Sequence, residues 1–181
     1  GLEDLAPDGI FAGEAHDANL GKFTAHLASH VTPSVLARGV AHFCNECASF
    51  GIGTVCALEG NDDIERDSLT ELAAFLARRL PQDVRLFPQY MDKAKLSRVE
   101  KHMRARRVGG CMKWETDGSV GSRTAAFSRP YLDGTQGAKY FETEELAATV
   151  ADFAEGGYMV SAHAIGDAAI DQLVGILDAV P

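Results

Sequence analysis

The sequence contains no hydrophobic run that approaches the roughly 20 residues needed to cross a bilayer. It also lacks a signal-peptide pattern, because Glu3, Asp4 and Asp8 interrupt the first apolar stretch. These absences predict a cytoplasmic protein with no membrane partner. Basic residues are outnumbered as well: 17 lysines and arginines against 26 acidic residues leave a formal charge of −9. Because phosphate backbones are bound by basic surfaces, this charge argues against a nucleic-acid partner.

Cysteine is scarce, with four in the chain, at positions 44, 47, 56 and 111. In a cytoplasmic protein they are expected to be reduced thiols. Cys44 and Cys47 form a C-x-x-C pair, but both fall on the apolar stripe of a predicted helix, and no second pair completes a zinc knuckle. We therefore expect buried structural thiols. A glycine-rich dinucleotide fingerprint at a strand–helix turn is absent too.

What the sequence does contain, from Thr32 onward, is a regular alternation of short apolar segments and amphipathic segments. The apolar segments predict strands at Ile52–Leu58, Val84–Phe87, Gly110–Trp114 and Tyr158–Ala162. Helices are predicted to start after Thr32, at a capping box of Ser68 with Glu71, near Lys93, at Thr143 and at Asp167. The third should run to about Arg107. Strands that alternate with helices imply parallel βα units.

The apolar faces of the first and last helices are predicted from their spacing. In the first helix Leu36, Val40 and Phe43 share a face with the two cysteines, and Gly51 can end the helix. In the last helix the apolar residues expected to face the core are Ile170, Leu173, Val174 and Leu177.

Four parallel βα units amount to half of a (β/α)-barrel, which closes with eight strands and typically about 250 residues. We expect residues 32–181 to form a partial TIM barrel, with 1–31 as an irregular segment leading into it. Its open edge must be covered by something outside this sequence or by another copy in a homo-oligomer. A doubly wound sheet is the alternative, without a glycine fingerprint to support it.

Two residues at predicted strand ends do not fit a core role. Lys113 ends the third strand and His163 follows the fourth, and in parallel βα folds the active site lies at this edge. Partial desolvation would lower the pKa of Lys113 and provide a neutral amine, while imidazole is the commonest metal ligand. The ordinary alternatives are a lysine that extends to solvent and a hydrogen-bonded structural histidine. The long segment Glu115–Glu142 favours the functional interpretation.

Two longer motifs carry a resemblance to a known family. The stretch from Lys113 to Ala126 reads K-W-E-T-D-G-S-V-G-S-R-T-A-A, and the stretch from His163 to Asp171 reads H-A-I-G-D-A-A-I-D. Both resemble stretches of the amidohydrolase superfamily, in its amidohydrolase family 3 branch. The segment Gly51–Val55, G-I-G-T-V, is similar to a weaker strand motif of that branch.

The resemblance implies a TIM-barrel hydrolase with one or two divalent metals, usually zinc. It places Lys113, which can be carbamylated, and His163 in the metal site. Most family members cleave C–N bonds of small-molecule amides, N-formyl compounds or cyclic amides. Zinc lowers the pKa of a bound water towards about 7 and so supplies the nucleophile. Asp117, Ser119 and Arg123 are candidate substrate contacts, although Asp117 and Arg123 could instead hold the loop.

The family pattern is only partly present. Its H-x-H pair occurs nowhere in the 181 residues, and neither do its later histidine ligand and catalytic aspartate. This predicts a fragment of a longer enzyme, with the general base outside the sequence. Two other functions stay open. One is an aldolase-type lyase that uses Lys113 as a Schiff base; the other is a half-barrel scaffold without catalytic activity.

Overall fold

The computed structural model describes residues 26–27, 29–62 and 68–180. It has an α/β fold with short parallel strands. In chain order the elements are α1 Pro33–Ser49, β1 Thr54–Glu59, α2 Ser68–Ala77, β2 Asp83–Pro88, α3 Lys93–Glu100, β3 Arg107–Glu115, α4 Thr143–Glu155, β4 Met159–His163 and α5 Asp167–Asp178. Most of the predicted segment 1–31 lies outside the described residues, while residues 26–27 and 29–30 are helical. None of the described helices is both long and apolar enough to span a membrane.

The four strands form two parallel pairs. β1 pairs with β2 from Thr54 opposite Asp83 to Glu59 opposite Pro88, and β3 pairs with β4 starting at Arg107 opposite Met159. β2 and β3 lie side by side without a continuous ladder. The predicted chain-order neighbours are therefore found, as two short sheets.

The side chain of Gln89 joins the two sheets. Its Oε1 accepts from the Cys111 backbone N–H at 2.7 Å, and its Nε2 donates to the Gly60 carbonyl oxygen at 3.0 Å. Gln89 is buried, so both contacts replace hydrogen bonds that water would otherwise make. One amide group thus links the end of the β1–β2 sheet to the middle of β3.

The helices begin and end largely where their capping residues predict. Thr32 accepts the Val35 N–H at 3.3 Å, with Pro33 in the first turn of α1. Gly51 follows that helix at φ 75°, a backbone conformation that favours glycine, and it confirms the predicted stop. Gly166, rather than Asp167, is the N-cap of α5.

The main core lies between the sheets and the helices. Trp114 is fully buried there and makes an edge-on contact with Phe153 at 5.2 Å between ring centroids. The buried members of this core are Ala74, Leu86, Tyr90, Leu96, Val99, Val108, Trp114, Leu146, Val150, Phe153 and Ile176.

Three expectations about helices are wrong. α3 ends at Glu100, because the basic segment that follows is a turn whose side chains pair outward, Lys101 with Glu71 and Arg106 with Glu100. In α1 the predicted core residue Phe43 is 52% exposed, whereas both cysteines are buried. In α5 the buried residues are Ala169, Gln172 and Ile176, while the predicted inward residues Ile170, Val174 and Leu177 are exposed.

Candidate functional site

His163 ends β4, and its backbone and side chain both bind the segment that follows β3. Its carbonyl oxygen accepts from Thr116 twice, from the backbone N–H at 2.9 Å and from the hydroxyl at 2.5 Å. Its ring Nε2 lies 3.0 Å from the Gly118 carbonyl oxygen. A carbonyl oxygen only accepts, so Nε2 carries the proton in this contact. In a neutral imidazole, Nδ1 then carries the lone pair.

Lys113 lies in an irregular part of β3, next to the end of β4. Regular pairing stops at Gly110 opposite Ala162 and resumes at Glu115 opposite His163, so the strand bulges between these two points. Met112, just before the lysine, has φ 59°, which is uncommon for a residue with a side chain. Such strain at a bulge is often found at functional sites, where it aims a side chain.

The environment of Lys113 differs from the expectation in one respect. Its side chain is exposed, whereas partial burial was expected from its position at the end of the strand. The amine is therefore accessible from solvent, which the alternative of a lysine that extends to solvent also predicts.

Glycines at positions 109 and 110 let β3 approach its neighbours closely before the bulge. Their φ values are 111° and 124°, which residues with side chains rarely adopt. A Cβ at Gly109 would lie 1.7 Å from the Ser161 carbonyl oxygen, and one at Gly110 would lie 2.9 Å from Leu58 Cδ2. This pair of glycines therefore seats β3 between β4 and the end of β1.

Cys111 is a site residue that the sequence analysis did not identify. Its Sγ lies 3.9 Å from His163 Nδ1, the ring nitrogen with the lone pair. Burial, with a smaller contribution from the charge of Glu115, raises the pKa of this thiol above its usual range. Its position two residues before Lys113 was only a weak signal, because the bulge between Gly110 and Glu115 breaks the regular alternation of faces along the strand.

Asp117 organises the loop behind the histidine. The carboxylate has no solvent exposure. It accepts three backbone N–H groups, from Ala126 at 2.7 Å, Ile165 at 2.9 Å and Gly166 at 2.7 Å. Its Oδ1 is also 3.8 Å from His163 Nε2. All these partners belong to the protein, which favours the alternative in which Asp117 holds the loop rather than a substrate.

Ser119 and Arg123 occupy the exposed turn of the same loop. The hydroxyl of Ser119 is 2.7 Å from that of Ser122, and Arg123 Nη1 forms an ion pair at 2.5 Å with Asp133. Both side chains of that ion pair are more than one-third exposed. Ser119 and Arg123 are therefore accessible to a ligand, unlike Asp117.

The described residues can supply part of a metal site. Among residues 26–27, 29–62 and 68–180, no three histidine, cysteine, aspartate or glutamate side chains are grouped to hold an ion. His163 nevertheless has the arrangement of a metal ligand, because such histidines usually donate their other ring N–H to a carbonyl or carboxylate. The chemistry of His163 therefore fits a metal, and further ligands are required.

Several known proteins are similar to this chain. The structure of a metal-dependent hydrolase from Pyrococcus horikoshii OT3 matches 98% of the chain with a TM-score of 0.64 and 21% identity. One from Pyrococcus furiosus matches 98% with a TM-score of 0.65 and 20% identity. The chain spans 38% and 40% of those two proteins. At this identity the likeness shows the fold alone.

Sequence comparison gives the family. The Bacillus subtilis (strain 168) protein YtcJ, which carries the name of an amidohydrolase, is 35% identical over 74 residues, or 40% of this chain and 14% of YtcJ. The model of a family described as the amidohydrolase family matches residues 3–181. This match covers both motifs that begin at Lys113 and His163, and the chain belongs to the amidohydrolase family.

Proposed function

We propose that this chain is part of a metal-dependent amidohydrolase that hydrolyses C–N bonds of small amides, N-formyl compounds or cyclic amides. The observation that carries the proposal is the ring of His163. Its Nε2 is held by the Gly118 carbonyl at 3.0 Å, which leaves Nδ1 as the ring nitrogen able to bind a metal. Family membership supports the reaction class.

Lys113 and His163 are the proposed metal ligands within this chain, and zinc is the proposed metal. Neutral Lys113 would add through its Nζ to carbon dioxide, form an N–C bond and release a proton, which yields a carbamate with two ligand oxygens. When bound, the metal would supply activation of a water molecule for attack on the substrate. The remaining ligands and the general base are proposed to come from other parts of a longer protein, since H-x-H occurs nowhere in these 181 residues.

The loop after β3 is proposed to bind the substrate. Ser119 and Arg123 are exposed and can reach a ligand. Asp117 fixes the backbone of the loop that carries them. The partial barrel fits this arrangement, because in barrels the loops after the strands form the active site. The two short parallel sheets and the likeness to longer hydrolases support the barrel.

The direct test is replacement of Lys113 in the complete protein, with metal content and amidase activity as readouts. Lys113→Ala should lose at least one equivalent of zinc and abolish turnover. Lys113→Arg should stay inactive, since guanidinium keeps its proton and cannot form a carbamate. Short carboxylic acids added to Lys113→Ala should restore part of the activity by replacing the carbamate.

The matched control is Lys101→Ala, which removes an exposed lysine just after α3, outside the loop proposed to bind the substrate. It should keep both metal and activity. Near-normal turnover and metal content in Lys113→Ala would show that this lysine has a structural role and that the proposal is wrong.

A further inference from the structure

A second polar site lies at the amino ends of β2 and β3, away from Lys113 and His163. A cavity of about 160 Å³ is lined there by the end of α2, the starts of both strands and the segment between α3 and β3. These elements follow one another in the middle of the chain. The lining of the cavity therefore comes from this chain alone. It does not depend on what packs against the outer strands, β1 and β4.

The cavity is strongly basic in a chain that is acidic overall. The arginines that line it are Arg78, Arg85, Arg104 and Arg107. The one acidic residue in the lining, Asp83, is already paired with Arg85 Nε at 2.9 Å. Within the described residues, no carboxylate forms an ion pair with the other three arginines. The site therefore carries several positive charges that the described residues do not neutralise.

Two buried atoms of the lining also lack hydrogen-bond partners among the described residues. One is Arg107 Nε, a donor, whose guanidinium group lies 5.9 Å from the ring centroid of Phe87. The other is Oε1 of Gln82, an acceptor on a side chain that is only 7% exposed and whose Nε2 donates to the Cys44 carbonyl at 2.6 Å. Buried polar atoms are rarely left without partners. Both atoms point to a ligand that accepts and donates hydrogen bonds.

We propose that this cavity is a phosphate site, occupied by inorganic phosphate or by the phosphate group of a small monoester. Arginine binds phosphate through paired N–H groups, and several arginines around one cavity match its charge. Hydrogen phosphate, and a monoester in its singly protonated form, each keep one O–H that can donate to Gln82 Oε1. A carboxylate ligand offers no such donor when ionised.

Isothermal titration calorimetry of the complete protein at constant ionic strength tests this proposal. Inorganic phosphate, glycerol 3-phosphate and sulfate are titrated separately at pH 7. We expect inorganic phosphate and the monoester each to bind with a stoichiometry of one per protein. The one with the higher affinity identifies the natural ligand. Sulfate should bind more weakly, because it carries no O–H at this pH.

Single variants locate the binding to the cavity. Arg78→Gln and Arg107→Gln should each weaken phosphate binding by about tenfold or more, the usual effect of losing a charged hydrogen bond. The matched control is Arg79→Gln. Arg79 neighbours Arg78 but lies outside the lining, with its guanidinium 3.7 Å from the Phe75 ring centroid and bonded to the Phe75 carbonyl. Circular dichroism confirms that each variant folds.

Three results would overturn the proposal. They are a wild-type protein that shows no saturable phosphate binding, a control variant that loses as much affinity as Arg78→Gln, and sulfate binding as tight as that of phosphate. Weakening confined to the two cavity arginines would establish the site.

Discussion

The carboxylate of Asp117 lies in one of the two family motifs, and it binds backbone groups of the protein rather than a substrate. With no solvent exposure it would be costly to bury, and three backbone N–H groups offset that cost. Through these bonds it ties the loop at Ala126 to the turn after β4, at Ile165 and Gly166. The aspartate thereby positions His163, which lies two residues before Ile165.

Replacing Asp117 by alanine should destabilise the protein by about 3 kcal/mol or more, because three buried N–H groups would lose a charged acceptor. Urea unfolding followed by circular dichroism measures this loss. Asp133→Ala is the matched control in the same loop: its carboxylate is largely bonded to Thr135 and paired with exposed Arg123, so little stability should be lost. Equal midpoints for the wild type and Asp117→Ala would contradict this role.

At the same scale, the sequence could place the candidate site residues on their strands but could not predict their contacts. The motif places Lys113 and His163 at strand ends, and the structure puts them on neighbouring strands. The burial of Asp117 and the 3.9 Å contact between Cys111 and His163 depend on the bulge in β3. A bulge changes which residues face each other, and that is decided by three-dimensional packing.

Among the elements, β2 and β3 lie side by side without a continuous ladder, and the side chain of Gln89 links the two sheets at this point. Gln89→Leu should leave the Cys111 N–H and the Gly60 carbonyl without these partners and cost about 2–4 kcal/mol. Hydrogen exchange of the Cys111 amide should accelerate markedly. Gln136→Leu, at an exposed loop position, is the control and should change neither quantity. Unchanged protection of Cys111 in Gln89→Leu would refute the bridging role.

A second link between elements is pH-sensitive. Ser128 donates to Asp167 at the start of α5, from its hydroxyl and its backbone N–H, both at 2.6 Å. The hydroxyl contact is the main reason that the pKa of Asp167 lies below its usual range, followed by that backbone N–H. A lowered folded-state pKa means that this link contributes stability above about pH 4, the ordinary aspartate value, and loses it as pH falls through the lower folded pKa.

Ser128→Ala should therefore raise the pKa of Asp167 towards the ordinary value, because the hydroxyl donor is removed while the backbone N–H stays. An NMR titration of the Asp167 carboxyl carbon measures the shift. Ser97→Ala is the control, since the Ser97 hydroxyl donates to a carbonyl within its own helix. A pKa of Asp167 that does not move would show that the hydroxyl is unimportant for this carboxylate.

The elements themselves could largely be predicted from the sequence, and the errors have physical causes. Periodicity gives all four strands and their helices because apolar residues recur in them at strand or helix spacing. The end of α3 was missed because Arg and Lys suit both a last helical turn and an exposed basic loop. The exposed stripe of α5 was missed because periodicity finds an apolar face without indicating what covers it.

For the whole molecule, the exposed apolar stripe of α5 and the incomplete set of proposed metal ligands both suggest that further protein packs against this chain. Ile170, Val174 and Leu177 are each more than two-fifths exposed in the described part of the chain. Such a contiguous apolar surface is typical of an interface. The relatives with solved structures are more than twice as long as this chain. Further protein packed on α5, from a longer chain or from another copy, would cover the stripe.

The metal site provides the test at this scale. The 181-residue chain, purified by itself and equilibrated with zinc, should retain less than one equivalent after gel filtration and show no amidase activity, because a catalytic zinc site usually needs three protein ligands. Only Lys113 and His163 are proposed as metal ligands in this chain, and the lysine must first be carbamylated. The complete protein should retain at least one equivalent under the same conditions. A tightly bound stoichiometric zinc in the isolated chain would contradict the two-ligand assignment. Replacing Cys111 by serine in that chain would then show whether its thiol, 3.9 Å from His163 Nδ1, is the missing ligand.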